Sequence, residues 1–317
     1  MGLRIVLMGT GEFALPPFSA LLASSKHQVV GVYTQPERSG RGHHRHVNKV
    51  RVLAEEHGVP VYQPQKVNTP EALEELAALE ADVFIVAAYG QILKPELLAI
   101  PRLGAFNLHG SLLPRHRGAA PVQYSIWKGD SLAGVTIFQI EPALDSGPMV
   151  GKVETEIGVT ETSGELMLRL ADLSVPLTLQ TVDALEDGSA EFELQDVDQV
   201  TLAPKIKKED GVIDWERSAT EIDCHVRAMQ PWPKAVTWLH TEGRRPIRCI
   251  LHAVRPLSES GPEAGVIQRD SSRLLVGCGS GSLEVVTIQP DGKKAMEAVG
   301  FVNGYGVGDG SRFGGSE

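Results

Sequence analysis

The sequence predicts an α/β protein whose first part is a mostly parallel sheet and whose second part is a small β-barrel. Short apolar runs, such as Arg4–Met8 and Val83–Ala88, alternate with amphipathic helical segments as far as Leu185. This alternation is typical of a parallel sheet with helices on both faces. After Asp187 the pattern changes to short β-type runs separated by glycine-rich turns, which favours a barrel.

The elements of the first domain follow from the periodicity of its apolar residues. A period of two or a continuous apolar run predicts a strand, and spacings of three and four predict a helix. We predict strands at 4–8, 29–33, 60–62, 83–88, 104–108, 134–139 and 149–156, and helices at 13–22, 50–57, 71–79 and 163–185. Together they predict one domain over residues 1–189, a mostly parallel sheet with helices on both faces.

The second part is predicted to contain a linker, a helix, a barrel and a tail. Residues 190–211 are irregular in pattern and predict a linker, while the glycine-rich residues 301–317 predict a flexible tail. Between them, a helix at 219–229 ends before two prolines, which interrupt helices. Short apolar runs then predict an OB-like barrel within 212–300, with strands at 235–239, 247–254, 265–267, 274–276 and 283–288.

Composition excludes several classes of protein. A net charge of −10 argues against indiscriminate coating of nucleic acid. The three cysteines, Cys224, Cys249 and Cys278, form no CxxC pair, and lone thiols fit a reducing cytoplasm. No apolar run approaches the roughly 18 residues of a membrane span. We therefore expect a cytoplasmic protein without a membrane partner, and we expect it to be a monomer.

A glycine motif follows the first strand. The run from Gly9 to Ala14 matches GxGxxA before a helix, so a dinucleotide site is one interpretation. Such a site also needs an acidic residue at the end of the second strand to hold a ribose. Here the first acid is Glu37, which already lies in a loop. The sequence therefore favours a tight strand-to-helix turn over a nicotinamide-dependent oxidoreductase.

The main chemical signal is the run from Gly104 to Pro114. Strand geometry puts Asn107 and His109 on one face, about 6.5–7 Å apart, at the carboxyl end of a strand. Open α/β sheets place their ligands at such ends. An amide and an imidazole can donate hydrogen bonds to an oxygen that gains charge during attack on a carbonyl. The structural alternative is a polar strand end with a histidine that is satisfied by the backbone.

A carboxylate strengthens this interpretation. Asp145 lies in the turn-rich loop 141–148, which follows the strand 134–139. If that strand neighbours the strand of His109, Asp145 reaches the same crevice, where it would orient the imidazole and raise its pKa. The alternative is an aspartate that only shapes a turn.

The run from Asn107 to Pro114, taken with Leu144-Asp145-Ser146-Gly147, resembles the folate-dependent formyltransferase family. The resemblance implies that residues 1–189 form a Rossmann-like catalytic domain. It implies formyl transfer from the co-substrate 10-formyltetrahydrofolate to an amine, without a metal. It also implies that the catalytic residues are Asn107, His109 and Asp145, and that the folate site is lined by Ser111, Leu112, Leu113 and Pro114. One departure is Gly11, where the family pattern leads us to expect proline and where glycine gives a looser turn.

Other segments resemble the family members that formylate initiator methionyl-tRNA for translation initiation, among them 35–42 and 227–233. This implies a tRNA-binding second domain and tRNA contacts from Arg38, Arg41, Arg45, Lys207 and Lys208. Glycinamide-ribonucleotide and sugar-amine formyltransferases would share the catalytic trio and stay open as alternatives. The former class typically lacks a second domain.

The loop around Arg41 is cationic within an acidic chain. It carries Arg38, Arg41 and Arg45, and Glu37 is the acid beside them. Phosphate contacts would follow from this charge. The alternatives are a solvated loop and a metal site at His43-His44-Arg45-His46, but no carboxylate or cysteine completes a metal site. The sequence therefore favours tRNA binding here.

Overall fold

A computed structural model describes residues 2–37, 47–259, 261–270, 273–308 and 310–316. The chain forms two compact units. The first comprises Met1–Pro121, Leu132–Glu156 and Met167–Pro204, and the second comprises Val122–Ser131, Ile157–Leu166 and Lys205–Glu317. The change from one unit to the other at Pro204 falls inside the segment 190–211. None of the helices in the described ranges has the length and apolar character needed to span a bilayer.

The first unit contains one large sheet. Its strands and those of a small two-stranded pair are β1 (Arg4–Gly9), β2 (Gln28–Tyr33), β3 (Val61–Tyr62), β4 (Val83–Ala87), β5 (Ala105–His109), β6 (Arg117–Gly118), β7 (Leu132–Gln139), β8 (Met149–Glu156) and β9 (Leu202–Ala203). The order in the large sheet is β3-β2-β1-β4-β5-β7-β8. Strands β1 to β5 pair in parallel, whereas β7 pairs antiparallel with both β5 and β8. The predicted mostly parallel sheet is confirmed, and it has an antiparallel edge.

Helices connect the strands near the predicted positions. They are α1 (Leu15–Leu22), α2 (Lys49–Glu56), α3 (Pro70–Ala78), α4 (Pro95–Leu98), α5 (Pro121–Trp127), α6 (Ser163–Asp187), α7 (Ala219–Ala228) and α8 (Ala298–Tyr305). Side-chain caps begin several of them, since Asn48 and Thr69 accept N–H groups of the first turns of α2 and α3. The short helices α4 and α5 were not predicted, because one or two turns give too few residues for a periodic signal.

The centre of the sheet is fully apolar. All five side chains of β4 are buried, as are those of β1 from Ile5 onward. A central parallel strand is covered on both faces, and this explains why these runs do not alternate. Each such side chain contributes roughly 1.5–3 kcal/mol to folding. The sheet is thus a rigid support for the polar residues at its carboxyl edge.

The glycine motif after β1 has a packing role. A Cβ on Gly9 would lie 2.7 Å from the Ala87 carbonyl oxygen and 2.6 Å from the Phe18 ring, so only glycine lets α1 approach the strand. Gly11 has φ +83°. Proline is fixed near φ −65°, so it could not adopt this turn. Gly11 is therefore required by the turn that is present here, whereas the sequence predicted only a looser one.

The second unit is a nearly closed antiparallel barrel, as predicted. Its strands are β10 (Ala235–His240), β11 (Ile247–Leu257), β12 (Ile267–Asp270), β13 (Arg273–Gly277), β14 (Ser282–Pro290), β15 (Met296–Glu297) and β16 (Arg312–Gly314). The order is β12-β13-β14-β11-β10-β16, with β15 beside β14. The Ile267 N–H donates to the Ser311 carbonyl at 3.0 Å, and Val266 forms a bridge with Arg312. These bonds link the first strand of the order to the last.

The predicted flexible tail is wrong. Residues 301–317 include most of α8 and all of β16, and β16 pairs with β10 from Trp238 to His240. Phe301 and Phe313 are fully buried, and the Phe313 ring stacks on Trp215 with centroids 5.7 Å apart. The glycines of this segment serve its turns, because Gly306 and Gly310 have positive φ. Glycine content is a poor indicator of flexibility here, since a few large side chains between the glycines are enough to anchor the segment.

Candidate active site

Two polar side chains lie at the carboxyl end of β5. In register, Asn107 lies between Val86 of β4 and Phe138 of β7. Because side chains alternate along a strand, Asn107 and His109 share one face. Asn107 is half-buried, and within the described part of the chain its amide has no hydrogen-bond partner. The amide is therefore free to bind a ligand at this edge of the sheet.

The His109 ring is held by the backbone. Its Nε2 lies 2.9 Å from the carbonyl oxygen of His116, and its edge meets the Phe138 ring with centroids 6.2 Å apart. The side chain is only 5% exposed. A carbonyl can only accept a hydrogen bond, so Nε2 carries the hydrogen in the neutral ring. Nδ1 consequently carries the free lone pair and is the nitrogen available for proton transfer.

Asp145 lies beside that nitrogen. Its Oδ2 is 3.7 Å from His109 Nδ1 and accepts the Gly118 N–H at 2.7 Å. Strand β7 does neighbour β5, so the loop that follows β7 reaches His109 as the sequence argument required. The structure differs in one respect. The His116 carbonyl orients the imidazole, whereas the 3.7 Å separation is too long for a hydrogen bond between Asp145 and the ring.

Burial and charge act in opposite directions on His109. Removal from water lowers the pKa of the imidazole, because the charged form loses its hydration. The Asp145 carboxylate and the His116 carbonyl oppose this effect, and the net direction is downward. The ring is therefore neutral at physiological pH, and a carboxylate stands ready to stabilise the charged form when it appears.

The segment 111–114 forms a compact turn beside the site. Ser111 is fully buried, and its hydroxyl donates to the Arg115 carbonyl at 2.7 Å. Thr136 of β7 donates to the Ser111 carbonyl at 2.7 Å and accepts the Leu113 N–H at 3.1 Å. Leu113 is buried, whereas Leu112 and Pro114 are half-buried. Of the four residues expected to line the folate site, these last two thus retain accessible side-chain surface.

The groups that support the site could not be found from the sequence. Gln195 and Thr201 lie in the segment 190–211, where no periodic pattern marks them. Thr201 accepts the His116 N–H at 2.8 Å through its hydroxyl, and its carbonyl accepts the Arg117 N–H at 2.9 Å. The supposed linker therefore holds the residue whose carbonyl orients His109.

The predicted tRNA contacts are spread over two parts of the chain. Arg38, Arg41 and Arg45 lie outside the described residues. At the described end of their loop, the Glu37 carboxylate accepts the Asn48 N–H at 3.2 Å. Lys207 and Lys208 lie on the surface of the second unit, and both are exposed.

A cluster of possible metal ligands lies apart from these residues. His27, Asp183 and Glu186 place ligand atoms within 4.8 Å of one another. The Lys26 ammonium already pairs with both carboxylates. His27 accepts the Leu3 N–H at Nδ1 and contacts Asp183 at Nε2, 3.0 Å away. Since both ring nitrogens are engaged, the cluster is accounted for as an ion-pair network.

Comparisons with known proteins find matches to both parts of the chain. The formyl transferase family model matches residues 3–182, and the formyl transferase C-terminal domain matches residues 205–306. A methionyl-tRNA formyltransferase of Pseudoalteromonas translucida (strain TAC 125) is 43% identical over 305 residues, which is 95% of this chain and 94% of that protein.

Solved structures share the fold. An N-formyltransferase from Helicobacter canadensis, in complex with folinic acid and dTDP-3-aminofucose, matches with a TM-score of 0.66 at 15% identity, over 92% of this chain and all of that one. Glycinamide ribonucleotide transformylase 1 from Symbiobacterium toebii matches with a TM-score of 0.51 at 18% identity, over 62% of this chain and 95% of that one. With both domains matched and a relative at 43% identity, this chain belongs to the formyltransferase family.

Proposed function

We propose that this protein transfers the formyl group of 10-formyltetrahydrofolate to the free α-amino group of initiator methionyl-tRNA. The observation that carries the proposal is the His109–Asp145 pair at the carboxyl end of β5, on the strand face that also bears the free amide of Asn107. Identity of 43% with a methionyl-tRNA formyltransferase over nearly the whole chain supports this acceptor. The folate complex of the related N-formyltransferase supports a folate donor.

The amine needs little activation. An α-amino group has a reference pKa of about 7.7–8.0, so a useful fraction is neutral at physiological pH. Its lone pair forms the new bond to the formyl carbon, and the formyl oxygen becomes an oxyanion. Asn107 donates a hydrogen bond to that oxygen, which is stabilisation that grows as the charge develops. The C–N bond to the folate then breaks, and the folate nitrogen takes a proton.

In this proposal His109 transfers the protons and Asp145 stabilises its charged form. The Nδ1 lone pair of His109 accepts a proton from the attacking ammonium, directly or through water. The resulting imidazolium lies 3.7 Å from the Asp145 carboxylate and can donate to the oxyanion or to the leaving nitrogen. The Gly118 N–H holds the carboxylate in place during this exchange. None of these steps requires a metal.

Basic residues serve the acceptor in this proposal. Arg38, Arg41 and Arg45 contribute positive charge from a loop that follows the carboxyl end of β2, and Lys207 and Lys208 contribute exposed charge from the second unit. Such side chains contact phosphates without reading sequence. The second unit is a barrel, an architecture that often binds nucleic acid.

The proposed setting is the cytoplasm, with the protein acting as a monomer. The three cysteines are free and buried. Desolvation raises the pKa of Cys249 to about 12 and that of Cys278 to about 11, so both thiols are protonated and unreactive. Light scattering at micromolar concentration tests the monomer directly.

The test of the proposal is an acceptor comparison. The purified protein is incubated with 10-formyltetrahydrofolate and, in parallel, with initiator methionyl-tRNA, glycinamide ribonucleotide or a dTDP-amino sugar. We expect formylation of the tRNA with a kcat/KM at least a thousandfold above that for the other amines. A sugar nucleotide or glycinamide ribonucleotide used as well as the tRNA would overturn the acceptor assignment.

A further inference from the structure

A buried glutamine connects the two segments that hold the catalytic carboxylate. The Gln195 amide Nε2 donates to the carbonyl oxygens of Asp145 and Gly147, at 2.9 and 2.8 Å. Its Oε1 accepts from Arg117, at 3.0 Å from Nε and 2.8 Å from Nη2. Both polar atoms of one buried side chain are thereby engaged.

The hydrogen bond to Asp145 acts on a strained backbone. Asp145 has φ +45°, a left-handed conformation that costs a residue other than glycine free energy unless its surroundings hold it. Gln195 bonds the carbonyl of this same residue. The conformation of Asp145 decides where its carboxylate points, so the amide of Gln195 acts directly on the direction of that group.

The bonds to Arg117 close a ring. Gly118, the next residue, donates its N–H to the Asp145 carboxylate at 2.7 Å. Gln195 thus contacts the Asp145 carbonyl on one side and Arg117 on the other, and the carboxylate bridges back to Gly118. A group that is held from both its backbone and its side chain loses little entropy when charge develops beside it.

The backbone on both sides of Gln195 is anchored. Glu193 and Met149 exchange two backbone hydrogen bonds of 2.8 Å, which anchor the segment to the start of β8. On the other side, β9 pairs with β6, the strand that contains Arg117. The glutamine therefore projects from a segment that is fixed on both sides.

We propose that Gln195 is a positioning residue for formyl transfer, which fixes the Asp145 carboxylate beside His109. The inference rests on the proposed function, because it requires Asp145 to be catalytic. Gln195 contacts no reacting atom and acts through Asp145. Its loss should therefore lower kcat and leave the KM values for folate and tRNA within twofold.

The experiment uses Gln195→Ala and Gln195→Glu in the full-length protein. Gln195→Glu keeps an acceptor for Arg117 but turns carboxylate oxygens toward the carbonyls of Asp145 and Gly147. Both variants should lose about 10–100-fold in kcat, the range expected when a reacting group shifts by about 1 Å or less. The matched control is Gln199→Ala, since Gln199 is exposed and bonds Asp196 within its own segment. The control should keep kcat within twofold, and circular dichroism confirms folding of all variants.

A double-mutant cycle with Asp145→Asn decides the question. If Gln195 acts through the carboxylate, Gln195→Ala should lower kcat by less than threefold in the Asp145→Asn background. An equal factor in both backgrounds would overturn the inference and leave the proposed function intact, and so would a change in KM alone. Wild-type kcat for Asp145→Asn itself would instead overturn the catalytic role assigned to Asp145, and the inference with it.

Discussion

Two buried histidines, one in each unit, have similar surroundings but differ in the support available to a protonated ring. His109 and His225 both place Nε2 against a backbone carbonyl, at 2.9 Å from His116 and 2.6 Å from Asp210. Burial lowers the pKa of both rings. His109 also has a carboxylate oxygen 3.7 Å from its Nδ1, whereas the His225 ring lies against Trp127, with centroids 5.5 Å apart.

The difference teaches what separates the proposed catalytic histidine from a structural one. Burial and a single backbone bond satisfy a neutral ring and fix its tautomer in both units. Of the two rings, only His109 has a carboxylate oxygen in close contact with the nitrogen that remains free, whereas Asp210 and Asp214 favour the charged form of His225 without such a contact among the described residues. Burial and a lowered pKa alone would have marked both residues alike.

The largest expected effect separates the two rings by chemistry. His109→Ala and Asn107→Ala should each slow formyl transfer in a single turnover by about 10²–10³-fold, as for loss of a donor to an oxyanion. His225→Ala should leave this rate within a few-fold, since His225 lies in another unit and has no carboxylate on its free nitrogen. Rates within tenfold of wild type for both Asn107→Ala and His109→Ala would remove them from the mechanism.

The next effect tests the carboxylate that makes the difference. Asp145→Asn should lower kcat by about 10²-fold, because proton transfer through His109 loses its charge support, while folate affinity changes little. Asparagine tolerates the left-handed backbone and can still accept the Gly118 N–H, so the change removes mainly charge.

The acid limb of the pH–activity profile of Asp145→Asn should shift in a definite direction. Asp145 opposes the lowering of the His109 pKa, so its removal lowers that pKa further. Activity lost on the acid side through protonation of His109 should therefore survive to lower pH in Asp145→Asn. An unchanged kcat with weakened folate binding would make Asp145 a binding residue.

A smaller effect concerns stability at His225. His225→Gln should reduce the free energy of unfolding in urea by about 0.5–1.5 kcal/mol, since the half-buried Asp210 carbonyl loses a well-placed donor. The folded-state pKa of His225 is lowered, so its contribution is complete above the unfolded-state value of about 6.5 and is lost as the pH falls through the folded-state pKa. The variant should lose part of the acid-side slope of the wild-type stability profile. The control His57→Gln, at an exposed position, should change the free energy of unfolding at neutral pH by no more than about 0.5 kcal/mol.

The smallest effect concerns the basic residues proposed to bind tRNA, which should affect tRNA affinity and not the chemical step. Arg41→Ala should weaken tRNA binding and leave folate affinity unchanged. The slope of log affinity against log salt should fall by about 0.7–0.9 for each lost phosphate contact. The double substitution Lys207→Ala, Lys208→Ala should act in the same direction. Equal affinity and equal slope for wild type and both variants would identify these residues as solvated surface charge.

Much of the fold could be predicted because its signals are local. The continuous apolar runs of β1 and β4 indicated a covered parallel sheet, and alternation placed Asn107 and His109 on one face. The antiparallel direction of β7 could not be predicted, because strand direction depends on how a connection crosses the sheet. The glycines of 301–316 concealed Phe301 and Phe313, whose burial depends on partners distant in sequence.

The sequence indicated the candidate site residues themselves, but not the groups that hold them in place. Asp145 follows the strand beside His109, so its proximity came from chain order. The carbonyl of His116 and the amide of Gln195 act through the backbone or from an irregular segment, and neither leaves a pattern of residue types. A glutamine near position 195 looks the same in a sequence whether it is solvated or braces a catalytic loop.

The last strand of the barrel has a genetic consequence. A stop codon or frameshift at position 310 would remove only a few residues, yet those residues include all of β16. Strand β10 would lose one of its two neighbouring strands, Ile267 would lose the Ser311 carbonyl, and the Trp215 ring would lose the Phe313 ring that stacks on it. Such an allele should behave as a folding mutant with reduced protein abundance, and its temperature sensitivity should be relieved by second-site changes within the barrel.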